Sequence, residues 1–310
     1  MPNSPQPADV VQAISTAFHG NGGDSGPTAA ELVVISMLGR GHLLIEDLPG
    51  VGKTTLAKAA ARAIGGDFRR IQGTPDLMPS DITGVSIWDE SQRVFRFHPG
   101  PVFTQVLLAD ELNRAPPRTQ SALLEAMAES SVTIDGAARA LPEGFLCIAT
   151  QNPVDHVGTY PLPDSQRDRF LLRISLGHPD PAHEAMVLAA DGADQSLAAI
   201  APVADAATLH AWRQQAKAVR VADEVRDYLL RILQATRSHR DLLQGASTRA
   251  GLGWQRAAQG LARLRGRDFL TPDDLQTLAR PALAHRLSAR PGADVDAVLD
   301  HLLATVAVPR

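Results

Sequence analysis

The chain of 310 residues carries a single cysteine, Cys147. A disulfide framework within the chain is thereby excluded, and the setting Phe145-Leu146-Cys147-Ile148-Ala149 reads the thiol as a small buried core residue. An excess of one charge is also missing. With a formal net charge of −4 and a pI near 6.2, nothing draws the whole molecule to nucleic acid or an anionic membrane. No apolar run is long enough to cross a bilayer, and Met1-Pro2-Asn3-Ser4-Pro5-Gln6-Pro7 lacks the basic stretch and apolar core of a secretory leader. A cytoplasmic location is the expectation. The ten histidines show no His-Glu-x-x-His spacing, and there is no Gly-x-Ser-x-Gly elbow, so zinc-peptidase and serine-hydrolase sites of those kinds are absent. His178, His183 and His285 read as surface or capping residues.

What the chain does contain is a regular alternation of strand and helix patterns. An amphipathic segment from Asp9 to Phe18 precedes a turn of glycines over Gly20 to Pro27, where no Lys-Thr pair follows to make a phosphate cradle. Thr28 caps a helix to about Gly39, and His42 to Glu46 reads as a buried strand. Helices follow at Lys53 to Ile64, Pro117 to Glu129 and near Pro163 to Phe170. They alternate with strands at Phe68 to Gln72, Val106 to Asp110, Phe145 to Thr150 and Leu171 to Leu176. Such a pattern builds a parallel sheet covered by helices on both faces. Two hairpins interrupt it, one joining Gly84 to Trp88 with Arg93 to Phe97, the other closing Val132 to Ile134 on Arg139 to Leu141 across Asp135-Gly136. One core rarely grows to this length. Strand-like runs largely disappear after His178-Pro179, and helices are expected around Pro181 to Ala190, Ala206 to Ala218, Ala222 to Arg237, Thr248 to Leu264, Thr271 to Ala284 and Ala293 to Thr305. The expected division is an α/β domain over 1–180 and a helical domain over 181–310.

Five clusters fit one ATP-hydrolysing site. Pro49-Gly50-Val51-Gly52-Lys53-Thr54-Thr55, after a strand and opening a helix, supplies glycines for close backbone approach to phosphate, a lysine for the β/γ oxygens and a hydroxyl for Mg²⁺. Asp47 occupies the first position of that loop, where a carboxylate aimed at phosphate would repel it, so its side chain is expected to turn away. Asp110 and Glu111 close a strand at the sheet edge where ligands collect. Successive extended residues point apart, which assigns Asp110, with Thr54, to Mg²⁺ and Glu111 to the attacking water. Asn152 ends the neighbouring strand and is placed to orient that water, although an Asn there also serves as a turn former. Arg169 is the candidate finger reaching the γ-phosphate from an adjacent subunit, with Arg167 as its rival and an Asp168 ion pair as the alternative. Arg249, at a helix start where it opposes the dipole, is expected to contact the γ-phosphate of its own chain, so that nucleotide hydrolysis changes the angle between the two domains.

With these residues assembled the chain resembles the MoxR family of AAA+ ATPases, from about Ala30 to Leu287. The stretches Leu107 to Met127, Ala149 to Pro153, Gly158 to Pro163 and Asp168 to Phe170 are the most specific, and Asp76 to Gly84 is similar to the family's helix-2 insertion. The resemblance implies a three-layer AAA+ phosphate-loop fold with an all-helical lid. It matches Lys53 and Thr54 to Walker A, Asp110 and Glu111 to Walker B, Asn152 to sensor 1, Arg169 to the arginine finger and Arg249 to sensor 2. It implies ATP and Mg²⁺, a homo-oligomeric ring of six, a partner with a von Willebrand factor A domain and a protein client; the charge balance and the lack of a long apolar run lead to no expectation of specific nucleic-acid binding or a membrane span. Departures from the family pattern are Gly20 to Pro27 in place of an adenine-holding segment, Thr248 for a usual proline and Arg167 for a usual apolar residue. A nucleic-acid-stimulated AAA+ motor and an ATP-gated scaffold with little turnover are the other readings.

Overall fold

The computed structural model describes residues 4–18, 26–152, 158–177, 184–185 and 194–309. Helices α1 (Pro7–Ser15) and α2 (Ala29–Leu38) precede β1 (Leu43–Glu46). Then come α3 (Lys53–Ala63), β2 (Phe68–Gln72), α4 (Pro79–Thr83), the hairpin of β3 (Gly84–Asp89) and β4 (Val94–Pro99), β5 (Val106–Asp110) and α5 (Pro117–Glu129). A second hairpin of β6 (Ser131–Ile134) and β7 (Ala137–Ala140) leads to β8 (Leu146–Gln151), α6 (Asp164–Arg167) and β9 (Leu172–Ile174). The remainder is α7 (Asp194–Ala198), α8 (Ala206–Ala218), α9 (Asp223–Ser238), β10 (Leu242–Gln244), α10 (Thr248–Leu264), α11 (Pro272–Leu283), β11 (Ser288–Ala289) and α12 (Val295–Thr305).

The five parallel strands lie in the order β2-β5-β8-β1-β9. Side chains of a strand alternate between faces, and the apolar residues divide accordingly. Leu43, Ile45, Val106, Leu108, Leu146 and Ile148 join the cluster under α1, α2 and α3, whereas Leu44, Leu107, Ala109, Cys147 and Ala149 join the one under α5. Both faces are covered, which makes three layers and explains why these strands read as continuous apolar runs. Pro117 opens α5 and Thr28 caps α2 in a box with Glu31, so those starts were written into the sequence.

The helical part is continuous with the sheet part. Ala257, Leu261 and Trp254 of α10 belong to the same apolar cluster as Ile35 and Leu38 of α2 and Ile14 of α1. The Trp254 indole is fully buried and donates to the Leu275 carbonyl at 2.9 Å. Burial of such a large ring stabilises by roughly 3 kcal/mol. Three expectations need correction. The helix near Pro163 is one turn long, because Gln166, Arg167 and Asp168 close on Pro163 and Asp164 and the chain then turns into β9. The lid is not strictly all-helical: the short β10 and β11 pair antiparallel within it. His285 is neither exposed nor a cap, since it is 1% accessible and bonded to the Phe170 carbonyl. The segment Pro181 to Ala190 apart from residues 184–185, the boundary at 180/181, His178, His183 and most of the turn from Gly20 to Pro27 fall outside the described residues.

His42, at the start of β1, is a second buried imidazole, and it has both nitrogens engaged. Cys147 N–H donates to its Nδ1 at 3.0 Å and its Nε2 faces the Met127 carbonyl at 3.1 Å, which fixes the neutral tautomer. Burial, opposed by the Met127 bond and aided by nearby Arg213, lowers its pKa from 6.5 to about 4. Between those two values the unfolded chain binds the extra proton and the folded one does not, so stability rises with pH across that window and is lost on acidification. Moving from pH 7.5 to 5 should remove about 2 kcal/mol through this group. Denaturant unfolding of His42→Gln at the two pH values should show a dependence shallower by that amount; an unchanged slope would contradict the assignment.

Candidate active site

The order of strands sets the site. β8 lies between β5 and β1, so the carboxyl ends of three adjacent strands carry, in turn, Asp110-Glu111, Asn152 and the phosphate loop. Gly50 and Gly52 have φ of +88° and +89°, a left-handed conformation that costs glycine nothing. Gly52 caps α3, and the first bond within the helix runs from Leu56 N to Gly52 O. The amides of Lys53, Thr54 and Thr55 are therefore free of helical bonds and aligned with the dipole, which makes an anion cradle. A side chain on Gly50 would meet nothing within 4 Å, while one on Gly52 would come 3.1 Å from the Phe18 ring. Phe18, at the end of the α1 segment, thus flanks the loop and was not singled out from the sequence.

Lys53 donates to the Asp47 carbonyl at 2.6 Å. Burial lowers its pKa, against the opposing fields of Asp110, Asp47 and Glu111. The Asp47 side chain turns away from the loop, as expected. Its carboxylate accepts from Leu48 N at 2.8 Å, Ser175 Oγ at 2.9 Å, Leu176 N at 2.5 Å and Gly177 N at 2.8 Å. Burial pushes its pKa up, but the bonds from Gly177, Leu48, Ser175 and Leu176 outweigh this and hold it below the ordinary value. The acid at the head of the loop therefore anchors it to the strand end after β9.

Asp110 and Glu111 part company by a different route from plain strand alternation. β5 ends at Asp110, and Glu111 takes φ +51°, a strained conformation for a residue with a side chain. Thr150 bridges the pair: its hydroxyl donates to Asp110 Oδ1 at 2.6 Å and accepts from Glu111 N at 2.9 Å. Arg70 holds the other Asp110 oxygen at 2.5 Å and Arg114 pairs with Glu111 at 3.1 Å. A Cβ on Gly73 would lie 2.1 Å from the Glu111 carbonyl oxygen, so only glycine fits beside this turn. Gln120, 1% accessible, ties it down from below through the carbonyls of Leu112, Ala115 and Tyr160. Thr150, Gly73 and Gln120 escaped the sequence reading. A hydroxyl one position before the end of β8, opposite the acids across the β5–β8 pairing, was the available signal for the first.

Asn152 lies half-buried immediately after β8, beside the acidic turn. Arg169 and Arg249 lie elsewhere. Both line a cleft of about 240 Å³ with Gly41, His42, Met127 and Leu171, residues that precede β1 and β9 or end α5. This is the amino-terminal edge of the sheet, across the length of β1 from the phosphate loop. Arg249 therefore does not cap its own phosphate loop, and the expected grip of Lys53 and Arg249 on one nucleotide within a chain is corrected. The reason is packing: the apolar stripe of α10 seats on α2, which carries the start of α10 to the far edge. Arg169 donates to the Leu124 carbonyl at 2.9 Å and is not paired with Asp168, which faces Arg286 at 3.1 Å. Arg167 is paired with Asp164, whose other oxygen accepts from Ser288 at 2.8 Å.

This arrangement matches known sequences. The profile of the ATPase family associated with various cellular activities (AAA) fits residues 42–172, and that of the AAA lid domain fits residues 234–302. The chain is 40% identical to Chaperone MoxR1 of Mycobacterium tuberculosis over 90% of its own length and 78% of that protein. The chain belongs to the MoxR family of AAA+ ATPases. An uncharacterised Bacillus subtilis protein, YeaC, is 42% identical over 90% of this chain and 89% of its own. The crystal structure of an inferred ATPase from Cytophaga hutchinsonii superposes with a TM-score of 0.87 at 31% identity, covering 97% of this chain and 94% of that one. The α/β AAA+ core with a helical lid is thus the family architecture.

The residues present suit the family's ligands. Thr54, Asp110 and the loop amides offer oxygen and N–H groups of the kind that hold a magnesium-bound triphosphate, where the ion takes one or two protein oxygens and the rest from phosphate and water. Among the described residues no cluster of three His, Cys, Asp or Glu could hold a metal without a substrate, and no helix is long and apolar enough to cross a membrane.

Proposed function

We propose that this MoxR-family protein hydrolyses ATP to ADP and phosphate with Mg²⁺ and uses the cycle to remodel a protein client, as the chaperone name of its M. tuberculosis relative suggests. The observation that carries the reading is the convergence of Lys53, Asp110, Glu111 and Asn152 on one sheet edge. Amides of Gly50 to Thr55 wrap the β-phosphate, and Lys53 neutralises the β/γ oxygens. Thr54 and Asp110 hold Mg²⁺, which when bound spreads the charge that builds on the transferring phosphoryl group. Glu111 takes the proton of the attacking water, held in line by the Asn152 amide.

Arg169 and Arg249 stand on the opposite edge, so both are assigned to the nucleotide of a neighbouring copy. A head-to-tail contact that brings one chain's amino-terminal sheet edge onto the next chain's carboxyl-terminal edge is heterologous and closes into a ring. We take that ring to be a hexamer, as the family resemblance implies. A von Willebrand factor A partner fits the same pattern, and the β3–β4 hairpin, which exposes Ile87, Trp88 and Phe95, is the surface offered to such proteins.

Phosphate release by purified protein should require Mg²⁺ and stop on chelation. Lys53→Ala should weaken binding of a fluorescent ATP analogue by at least about ten-fold, since a charge-assisted contact to phosphate is lost. Added DNA should leave the rate unchanged, and addition of a cognate partner should raise it. Strong stimulation by DNA alone would favour the nucleic-acid motor, and analogue binding undiminished in Lys53→Ala would sink the site.

A further inference from the structure

The cleft holding Arg169 and Arg249 is lined by three more arginines, Arg40, Arg256 and Arg286, and by one acid, Asp168. Asp168 is taken by Arg286. Among the described residues Arg40, Arg249 and Arg256 have no ion-pair partner. Arg40 and Arg256 also border the adjoining cavity of about 680 Å³, where the only acid is Glu143, paired with His210, and the further cations are Arg213 and Lys217.

Like charges have been gathered here at a cost. Arg286 is buried, and burial, resisted by Asp168 and reinforced by Arg256 and Arg249, lowers its pKa to about 10. Arg213 is lowered to about 10 by burial and then by Arg40, against Glu143. Arg40 adds strain of a second kind. It follows the C-cap of α2 with φ +54°, the position that glycine normally fills, and an L-residue there costs about 1 kcal/mol. Arg256 lies seven residues after Arg249 on α10, two helical turns along the same face. Unpaired charge and a strained backbone held together in a cleft are the marks of a binding site rather than of a solvated surface.

We propose that Arg40 and Arg256 join Arg169 and Arg249 in a four-arginine receptacle for the terminal phosphates of a nucleotide carried by the neighbouring copy. The inference rests on the reading of Arg169 and Arg249 as acting between copies. A cleft of this size admits phosphoryl groups and not a folded segment, and guanidinium forks match phosphate oxygens with paired donors. Arg40 and Arg256 bind and orient the neighbour's triphosphate while Arg169 meets the charge that builds at its end. Arg286 stays with its own chain, donating to the carbonyls of Ala250 and Phe170 at 3.1 and 2.7 Å, and locks the start of α10 to the segment carrying Arg169.

The test uses Arg40→Gly and Arg256→Ala in the full chain, with Arg169→Ala as reference. Glycine suits the left-handed position, so Arg40→Gly should melt at or slightly above the wild-type temperature, and Arg256 is exposed, so its loss should leave the fold intact. Each variant should still bind a fluorescent ATP analogue, no more than about ten-fold more weakly than wild type because the phosphate loop is untouched, yet at saturating ATP release phosphate about ten-fold more slowly or worse. Mixing either variant with Lys53→Ala, which keeps the arginines but lacks the loop lysine, should restore turnover as the Arg169→Ala mixture does. Turnover within two-fold of wild type in both variants overturns the inference. So does slow turnover that Lys53→Ala rescues for Arg169→Ala but not for Arg40→Gly and Arg256→Ala, which would place their action within one chain. If the Arg169→Ala mixture is not rescued either, the reading between copies itself is what fails.

Discussion

Arg169→Ala should lower kcat by about three powers of ten or more, the range associated with loss of an arginine finger, while leaving ATP bound. The geometry separates this from a folding defect. Arg169 is half-buried and uses one nitrogen to reach the Leu124 carbonyl, while its Nε has no partner. Its removal deletes a single modest hydrogen bond, worth about 1 kcal/mol. The diagnostic measurement is a mixture of Arg169→Ala with Lys53→Ala, which keeps the arginine and lacks the loop lysine. A finger serving the neighbour's site lets the ATP held by an Arg169→Ala chain be completed by the arginine of an adjoining Lys53→Ala chain, so turnover should reappear. No recovery in the mixture would count against action between copies. Arg167→Ala is the control, because its pair with Asp164, a carboxylate that Ser288 also holds, gives Arg167 a structural duty. It should reduce stability more than turnover.

Glu111→Gln should reduce phosphate release by two to four powers of ten, the contribution of a positioned general base, and leave the protein loaded with ATP. The amide keeps the size and the left-handed backbone of the turn, and the bond from Glu111 N to Thr150 is made by the main chain, so the turn survives. Only the capacity to accept a proton from water is lost. Undiminished turnover would remove Glu111 from the reaction and transfer attention to Asp110. Trapped in the loaded state, this variant is also the right bait for a client, since release is coupled to hydrolysis in the proposed cycle.

Much of this was readable from residues whose local physics has a single solution. Pro117 and Thr28 mark helix starts wherever they sit, and the run from Val106 to Asp110 is too apolar and too short for anything but a buried strand. The acid pair, the loop lysine and Asn152 follow because strand ends are where an α/β sheet exposes side chains. What was not readable depends on how elements dock. The position of Arg249 is fixed by the stripe of α10 that meets α2, a contact between residues more than two hundred positions apart, and no motif encodes it. His285 looks like a polar surface residue until Arg286 and the Phe170 carbonyl are brought around it. Leu242 to Gln244 is too short to announce a strand, and it becomes one only because Ser288 and Ala289 lie alongside. Alternation alone would part Glu111 from Asp110, yet the turn that delivers Glu111 is left-handed and leans on Thr150.

The close fit at Gly73 makes the acidic turn a mechanical neighbour of the surface far from it. Gly73 N donates to the Asp110 carbonyl at 2.7 Å, and the chain leaving Gly73 runs within a few residues into α4 and the hairpin that displays Trp88 and Phe95. A side chain at Gly73 has no room there, because its Cβ would meet the Glu111 backbone, so alanine at this one position should push the acids out of place and strain the short link that leads to α4 and the hairpin.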